Sequence, residues 1–203
     1  MLARLIDAGG PLPSPPASGG RSLAEHDSRG RPDDLYGALV RSIAGQQLSV
    51  LAARAIWRRL TERFDGRTPT PREILADDPE ALRAAAGFSR AKVRYLRSLA
   101  EHVLAGELEL DRLSELGDEE VIRELTAVKG IGEWTAHMFL MFTLHRPDVL
   151  PTGDLGVRNA VMRAYGLDRP PAPAELTALA EHWRPHRTRA CLYLWRSLDN
   201  APA

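Results

Sequence analysis

Val128-Lys-Gly-Ile-Gly-Glu-Trp-Thr-Ala136, a mostly apolar run, and then Leu150-Pro-Thr-Gly-Asp-Leu-Gly-Val-Arg158 form the stretch on which the fold turns. A Gly-x-Gly turn opens a helix, and Asp154 follows about six helical turns later in a loop marked by proline and glycine. Glycine allows φ > 0 and close approach of backbone to a ligand. The helix that follows offers N–H groups without intrahelical partners and a partial positive charge, the features that hold a phosphate. The downstream carboxylate can then stand near whatever carries that phosphate. Together these parts point to an enzyme acting on nucleic acid. The turn alone also fits an ordinary helical hairpin with glycine at its stop, and Asp154 alone fits a helix cap.

Working outward, the apolar spacing is helical throughout. Leu35, Leu39 and Ile43 fall at i, i+4, i+8, and Leu48, Leu51, Ala52, Ala55, Ile56 and Leu60 make a second stripe. Arg54, Arg58 and Arg59 fill the other face of that second helix, with Trp57 among them. Further helices are expected over Pro79–Ala86, stopped by Gly87, and over Ser89–Ala105, capped by Ser89 and stopped by Gly106. Asp118–Ala127 begins with an acidic cluster suited to a helix N-terminus. Gly132–His145, Asp154–Tyr165, Pro173–His182 and Arg187–Leu198 complete the set. No segment alternates at period 2, so the expected fold class is all-α. Residues 9–20 are rich in Pro, Gly and Ser and read as part of a flexible tail over 1–32, with the folded domain over 33–203.

Composition narrows the function classes. The 203 residues are 44% hydrophobic, enough for a normal core. No run approaches the ~18 apolar residues of a membrane span, and no signal peptide is read, so a cytoplasmic or nuclear location is expected. The single cysteine, Cys191, excludes an internal disulfide and a cysteine-rich metal site. With 27 basic and 27 acidic residues the chain lacks the basic surplus usual for nucleic-acid binders, so DNA contact must come from local patches and backbone amides. Lysine occurs only at positions 92 and 129. His182 and His186 are four apart, but Pro185 interrupts them and no acidic or cysteine partner has metal-ligand spacing.

The chain resembles the helix–hairpin–helix, Gly/Pro-Asp (HhH-GPD) DNA glycosylases, and within them the AlkA-like 3-methyladenine DNA glycosylase II group. The hairpin with Pro151-Thr-Gly-Asp154 carries one part of the likeness. Ala38-Leu-Val-Arg-Ser-Ile-Ala-Gly-Gln-Gln-Leu-Ser49 and Trp183-Arg-Pro-His-Arg-Thr-Arg-Ala-Cys-Leu-Tyr-Leu-Trp195 carry two more, in the family's order. The likeness implies a two-lobed helical glycosylase fold without the N-terminal β-rich domain of AlkA. It implies a monomer that excises alkylated purines such as 3-methyladenine and 7-methylguanine from double-stranded DNA during base excision repair, in the bacterial nucleoid or the eukaryotic nucleus. Other lesions (hypoxanthine, ethenoadenine, N1/N3-methylated bases) remain open, as does a non-catalytic DNA-binding or damage-sensing role.

Residue by residue, Asp154 matches the catalytic aspartate. A carboxylate held at a helix N-terminus offsets the positive charge that grows on the sugar as the glycosidic bond breaks. Trp134 and Trp195 match aromatic positions of the base pocket, where an electron-rich indole attracts a cationic base. Met138 and Arg196 stand where AlkA carries tyrosine, which leaves the lesion range open. Endonuclease III-like members that nick the strand carry a Schiff-base lysine at the position of Trp134, so a monofunctional enzyme using water is expected. Lys129, Gly130, Ile131, Gly132 and Thr135 match the DNA-binding hairpin, and Arg90 and Lys92 on a second short turn (Gly87-Phe-Ser-Arg-Ala-Lys92) are further candidates. Gln46 and Gln47 lie where the family drives a wedge into the duplex, or they only bond locally around Gly45. The family's hairpin can hold Na+ or K+ on turn carbonyls, here those of Thr126, Val128 and Ile131; no other cofactor is expected. Trp57 and Trp183 are expected to be structural, and Asp148 is the rival carboxylate by proximity.

Overall fold

The computed structural model describes residues 34–199; the tail expected over 1–32 lies outside them. Every regular element among the described residues is helical. In chain order they are α1 Leu35–Gly45, α2 Val50–Arg63, α3 Pro71–Ala76, α4 Pro79–Ala86, α5 Arg90–Ala105, α6 Asp118–Ala127, α7 Glu133–Phe142, α8 Leu155–Tyr165, α9 Pro173–Leu179 and α10 Arg187–Asp199. Short 3₁₀ turns cover Leu110–Ser114 and Glu181–Trp183. None of these helices is long and apolar enough to cross a membrane.

Local chemistry sets most helix ends. Asp34, Ser49, Asp78, Ser89 and Asp154 each stand just before a helix with a side-chain oxygen that accepts an N–H of its first turn. Gly87, Gly106 and Gly166 close α4, α5 and α8 in the left-handed conformation. Helix α3 has no expectation in the sequence, because six residues with one buried side chain, Ile74, are too short to show a period. What makes it is Thr70, whose hydroxyl accepts from the Glu73 N–H while the Glu73 carboxylate accepts from the Thr70 N–H, with Pro71 preset at the first position.

Two helices end sooner than their apolar pattern. α7 stops at Phe142 rather than His145: His145 takes φ 53°, and the Arg146 N–H turns back to the Leu140 carbonyl at 2.9 Å. Pro147 disfavours helical backbone at Arg146 and reinforces the stop. α9 stops at Leu179 rather than His182, and the chain tightens into the 3₁₀ turn that still buries Trp183.

The helices divide into two compact units, one of the described residues up to Phe139 and one from Leu140 onward. In the first, α5 packs against α1, α3 and α4, and α2 packs against α1 and α4. Leu39, Ile43, Leu60, Ile74, Leu82, Leu96 and Leu99 are fully buried there. In the second, α8 packs on α10, and Val157, Val161, Cys191 and Leu194 are fully buried. Each such aliphatic side chain contributes about 1.5–3 kcal/mol by leaving water.

Candidate active site and nucleic-acid interface

Asp154 stands at the N-terminus of α8, after a tight turn in which its own N–H bonds the Pro151 carbonyl at 2.9 Å. Its Oδ1 accepts two hydrogen bonds, from the Val157 N–H at 2.7 Å and from the Trp195 indole N–H at 2.9 Å. The first is the helix cap; the second comes from 41 residues away on α10. The Trp195 ring stacks on Phe142, with centroids 6.2 Å apart and planes at 26°. Trp195, assigned from the sequence to a base pocket, thus also touches the carboxylate. The sequence holds no local sign of this pairing.

Gly156 makes the arrangement sterically permissible. A Cβ at this position would lie 3.0 Å from Asp154 Oδ1 and 3.1 Å from Cδ1 and Nε1 of Trp195. Gly156→Ala should therefore separate activity from stability. Alanine favours a helix over glycine by about 0.5–1 kcal/mol, which offsets the crowding. The carboxylate and indole must still move by a few tenths of an ångström, and misplacement of that order costs roughly tenfold in rate. Single-turnover kinetics beside thermal unfolding check this; an unchanged rate contradicts it.

The rival carboxylate has another task. Asp148 accepts the Arg187 backbone N–H at 3.2 Å and its guanidinium at 2.7 and 2.9 Å, and Arg184 adds a contact at 2.7 Å. Thr188 completes the clamp by donating to the Arg146 carbonyl and accepting the Val149 N–H. The loop leading to Asp154 is thereby fixed to the start of α10, the helix that carries Trp195. Partial burial pushes the Asp148 carboxyl up, but the Arg187 hydrogen bonds and the charges of Arg187 and Arg184 outweigh it and hold it below the usual aspartate value. A depressed carboxyl contributes stability that is full above its unfolded pKa and is lost as pH falls through the folded one. Asp148→Asn should cost about 1–3 kcal/mol at neutral pH and flatten the acid limb of the stability profile. Identical acid limbs in the two proteins would contradict this role. Burial, helped by the charge of Asp154, pushes the nearby Cys191 thiol up to about 12, so it offers no thiolate.

The hairpin belongs to the other unit. Between α6 and α7 the Ile131 N–H bonds the Val128 carbonyl at 3.1 Å, and Gly130 takes φ 92°. A Cβ at Gly130 would fall 2.1 Å from Cγ of Tyr95, so the Tyr95 ring lies directly on the glycine. The Lys129 N–H donates to Ser98 Oγ at 3.3 Å, and Gln46 Nε2 donates to the Gly130 carbonyl at 2.9 Å. The Lys129 and Ile131 amides therefore serve the fold, and the Lys129 side chain, exposed at the turn, is the charge presented outward. At Gly132 a Cβ would meet nothing within 4 Å. The Val128 carbonyl keeps a second lone pair for a cation.

The remaining candidates have distinct settings. Trp134 is 48% exposed, an unusual state for so large an apolar ring. Met138 is half-buried and Thr135 is buried. Arg90 is exposed, 3.6 Å from Glu80. Lys92 turns inward: its Nζ donates to the Ala44 carbonyl at 2.7 Å, and burial lowers its pKa. Gln46 is half-buried, whereas Gln47 is exposed with φ 58°. Trp183 is buried and donates to the Tyr165 hydroxyl at 3.3 Å, while Trp57 is half-buried. His182 and His186 are both exposed.

A model of the HhH-GPD superfamily base excision DNA repair proteins matches residues 40–185. DNA-3-methyladenine glycosylase 1 of Schizosaccharomyces pombe is 40% identical over 164 residues, which are 80% of this chain and 72% of that protein. The crystal structure of a DNA-3-methyladenine glycosidase from Bacillus halodurans superposes with a TM-score of 0.75 at 40% identity, covering 83% of this chain and 77% of that one. S. pombe 3-methyladenine DNA glycosylase (Mag1), in complex with abasic DNA, gives a TM-score of 0.76 at 36% identity, covering 98% and 91%.

Proposed function

The chain belongs to the HhH-GPD superfamily of base excision DNA repair proteins, and we propose on that premise that it is a monofunctional DNA glycosylase for alkylated purines, 3-methyladenine and 7-methylguanine foremost. The observation that carries the chemistry is the Asp154 carboxylate, fixed at the start of α8 by the Val157 N–H and the Trp195 indole. An alkylated purine bears a formal positive charge and leaves readily, so the protein's task is to stabilise the sugar. As the N-glycosidic bond lengthens, positive charge builds at the anomeric carbon, and a carboxylate already oriented offsets it without reorganisation. Water then adds to that carbon and passes a proton to the same carboxylate or to solvent. The step needs no cofactor; a Na+ or K+ ion on the carbonyls of Thr126, Val128 and Ile131 would stiffen the hairpin.

The indole of Trp134, about half exposed, would stack on a cationic base. DNA would be held by the Lys129 side chain and the amides of Gly130 and Gly132, as one protein on one duplex. The wedge is assigned to Gln47. It is exposed and held in the left-handed region, where a residue without glycine's freedom sits only under constraint. Gln46 is committed to Gly130.

Strand cleavage by the lyase route needs an amine to form a Schiff base, and the resemblance to endonuclease III-like members puts Trp134 at the position of their lysine. Incubation of the protein with lesion-bearing duplex and borohydride should give released base, an intact abasic strand and no covalent adduct. A trapped adduct would overturn the monofunctional assignment. Release confined to neutral lesions such as hypoxanthine would overturn the alkylpurine preference.

A further inference from the structure

Three contacts on one face of α5 have no place in the chemistry above. Lys92, Tyr95 and Ser98 stand at i, i+3 and i+6 and so share a stripe. Lys92 Nζ reaches the Ala44 carbonyl at the C-terminal end of α1, where a cation offsets the negative end of the helix. Tyr95 lies on Gly130, and Ser98 Oγ takes the Lys129 N–H. A fourth contact closes the circuit: Gln46, at the end of α1, donates to Gly130 across 84 residues of chain. A carbonyl accepts only from the amide nitrogen, so this bond also fixes which way the Gln46 amide faces.

We propose that the Lys92–Tyr95–Ser98 stripe and Gln46 lock the Gln47 turn and the phosphate-holding hairpin into one rigid piece, and that Lys92 and Gln46 are positioning residues, not DNA contacts. The proposal rests on the reading of the hairpin as grip and Gln47 as wedge. Its physical logic is coupling. Flipping a base costs a few kcal/mol of lost stacking, and the phosphate contacts are where the compensating binding energy lies. Two loops joined by flexible side chains would spend that energy on ordering themselves. Two loops fixed to a common helix deliver it at the wedge. Lys92 cannot serve a phosphate with the N–H it gives to Ala44, and withdrawing it would leave both its partly buried ammonium and that carbonyl short of a partner.

Two readouts separate positioning from contact. The slope of log affinity against log salt counts phosphate contacts at about 0.9 each. The fluorescence of a 2-aminopurine placed beside an abasic-site analogue reports unstacking by the wedge. Lys129→Met should flatten the slope by about 0.9. Lys92→Met and Gln46→Met should leave the slope and the affinity for undamaged duplex as in the wild type. In both, the 2-aminopurine signal at saturating protein should fall severalfold and excision about tenfold, as expected for loss of one charge-assisted or buried hydrogen bond. Gln46→Met keeps the side-chain length and removes the carboxamide with the donor that Gly130 accepts, so its result stands even where Lys92→Met lowers the melting temperature. A slope flattened by about 0.9 in Lys92→Met would make Lys92 a phosphate contact and overturn the proposal. An unchanged 2-aminopurine signal in Gln46→Met would overturn it too. A wild-type protein with no salt dependence would overturn the hairpin reading on which the proposal rests, a result distinct from either.

Discussion

Asp154→Asn should lower single-turnover excision by at least about 10²–10³-fold, the usual consequence of removing one preorganised electrostatic group, while affinity for lesion-bearing duplex stays within a few-fold. The substitution is nearly isosteric, and its amide oxygen can still accept from the Val157 N–H and the Trp195 indole, the two bonds that Oδ1 makes now. The α8 cap and the indole position therefore survive, and the charge alone is removed. Asp154→Ala is the less informative variant because it also deletes the cap, at about 1 kcal/mol. Full activity in Asp154→Asn would reduce the residue to a cap and remove the mechanism.

The second large effect is expected at Gly130. Alanine there meets two separate penalties. The backbone at φ 92° costs an L-residue about 1–2 kcal/mol. The new methyl would lie 2.1 Å from Tyr95 Cγ, so the ring or the turn must move, at about 1–3 kcal/mol more. A loss of about 2–5 kcal/mol corresponds to a melting temperature lower by roughly 5–15 °C for a domain of this size. DNA affinity should fall with it, since the turn that carries Lys129 must itself move off Tyr95. Gly132→Ala is the control two residues away: its methyl meets nothing within 4 Å, and the fold should tolerate it. Thermal unfolding and duplex binding of the pair give the answer. Equal stability in the two variants would contradict the contact between Tyr95 and the turn.

Much of this was legible in the sequence because it is local. Ser89, Gly87, Gly106 and Asp154 mark helix ends by their own chemistry within three or four residues, and α4, α5 and α8 lie where those marks put them. The Gly-x-Gly turn was readable for the same reason. What stayed hidden depends on partners distant in the chain. Nothing near Trp195 says that its indole will bond a carboxylate 41 residues before it. Gly156 sat inside the deciding stretch, yet its role exists only because Trp195 arrives above it. Lys92 shows the cost of local reading. A scarce lysine just after a short turn suggests a phosphate grip, and nothing local shows that its Nζ donates to the carbonyl of Ala44, 48 residues earlier. The helix ends misjudged at His145 and His182 have another origin: apolar spacing does not show where the backbone tightens, as it does where the Arg146 N–H turns back to Leu140 and in the 3₁₀ turn Glu181–Trp183.

The carboxylate fixed by α8 and α10 should release alkylated purines from DNA. The most direct test is chromatography of the free bases liberated from dimethyl sulfate-treated duplex by the purified protein and by Asp154→Asn. The wild type should release 3-methyladenine and 7-methylguanine, and the variant almost none. DNA binding by the wild type without release of any base would contradict it and leave a damage-sensing hairpin protein in its place.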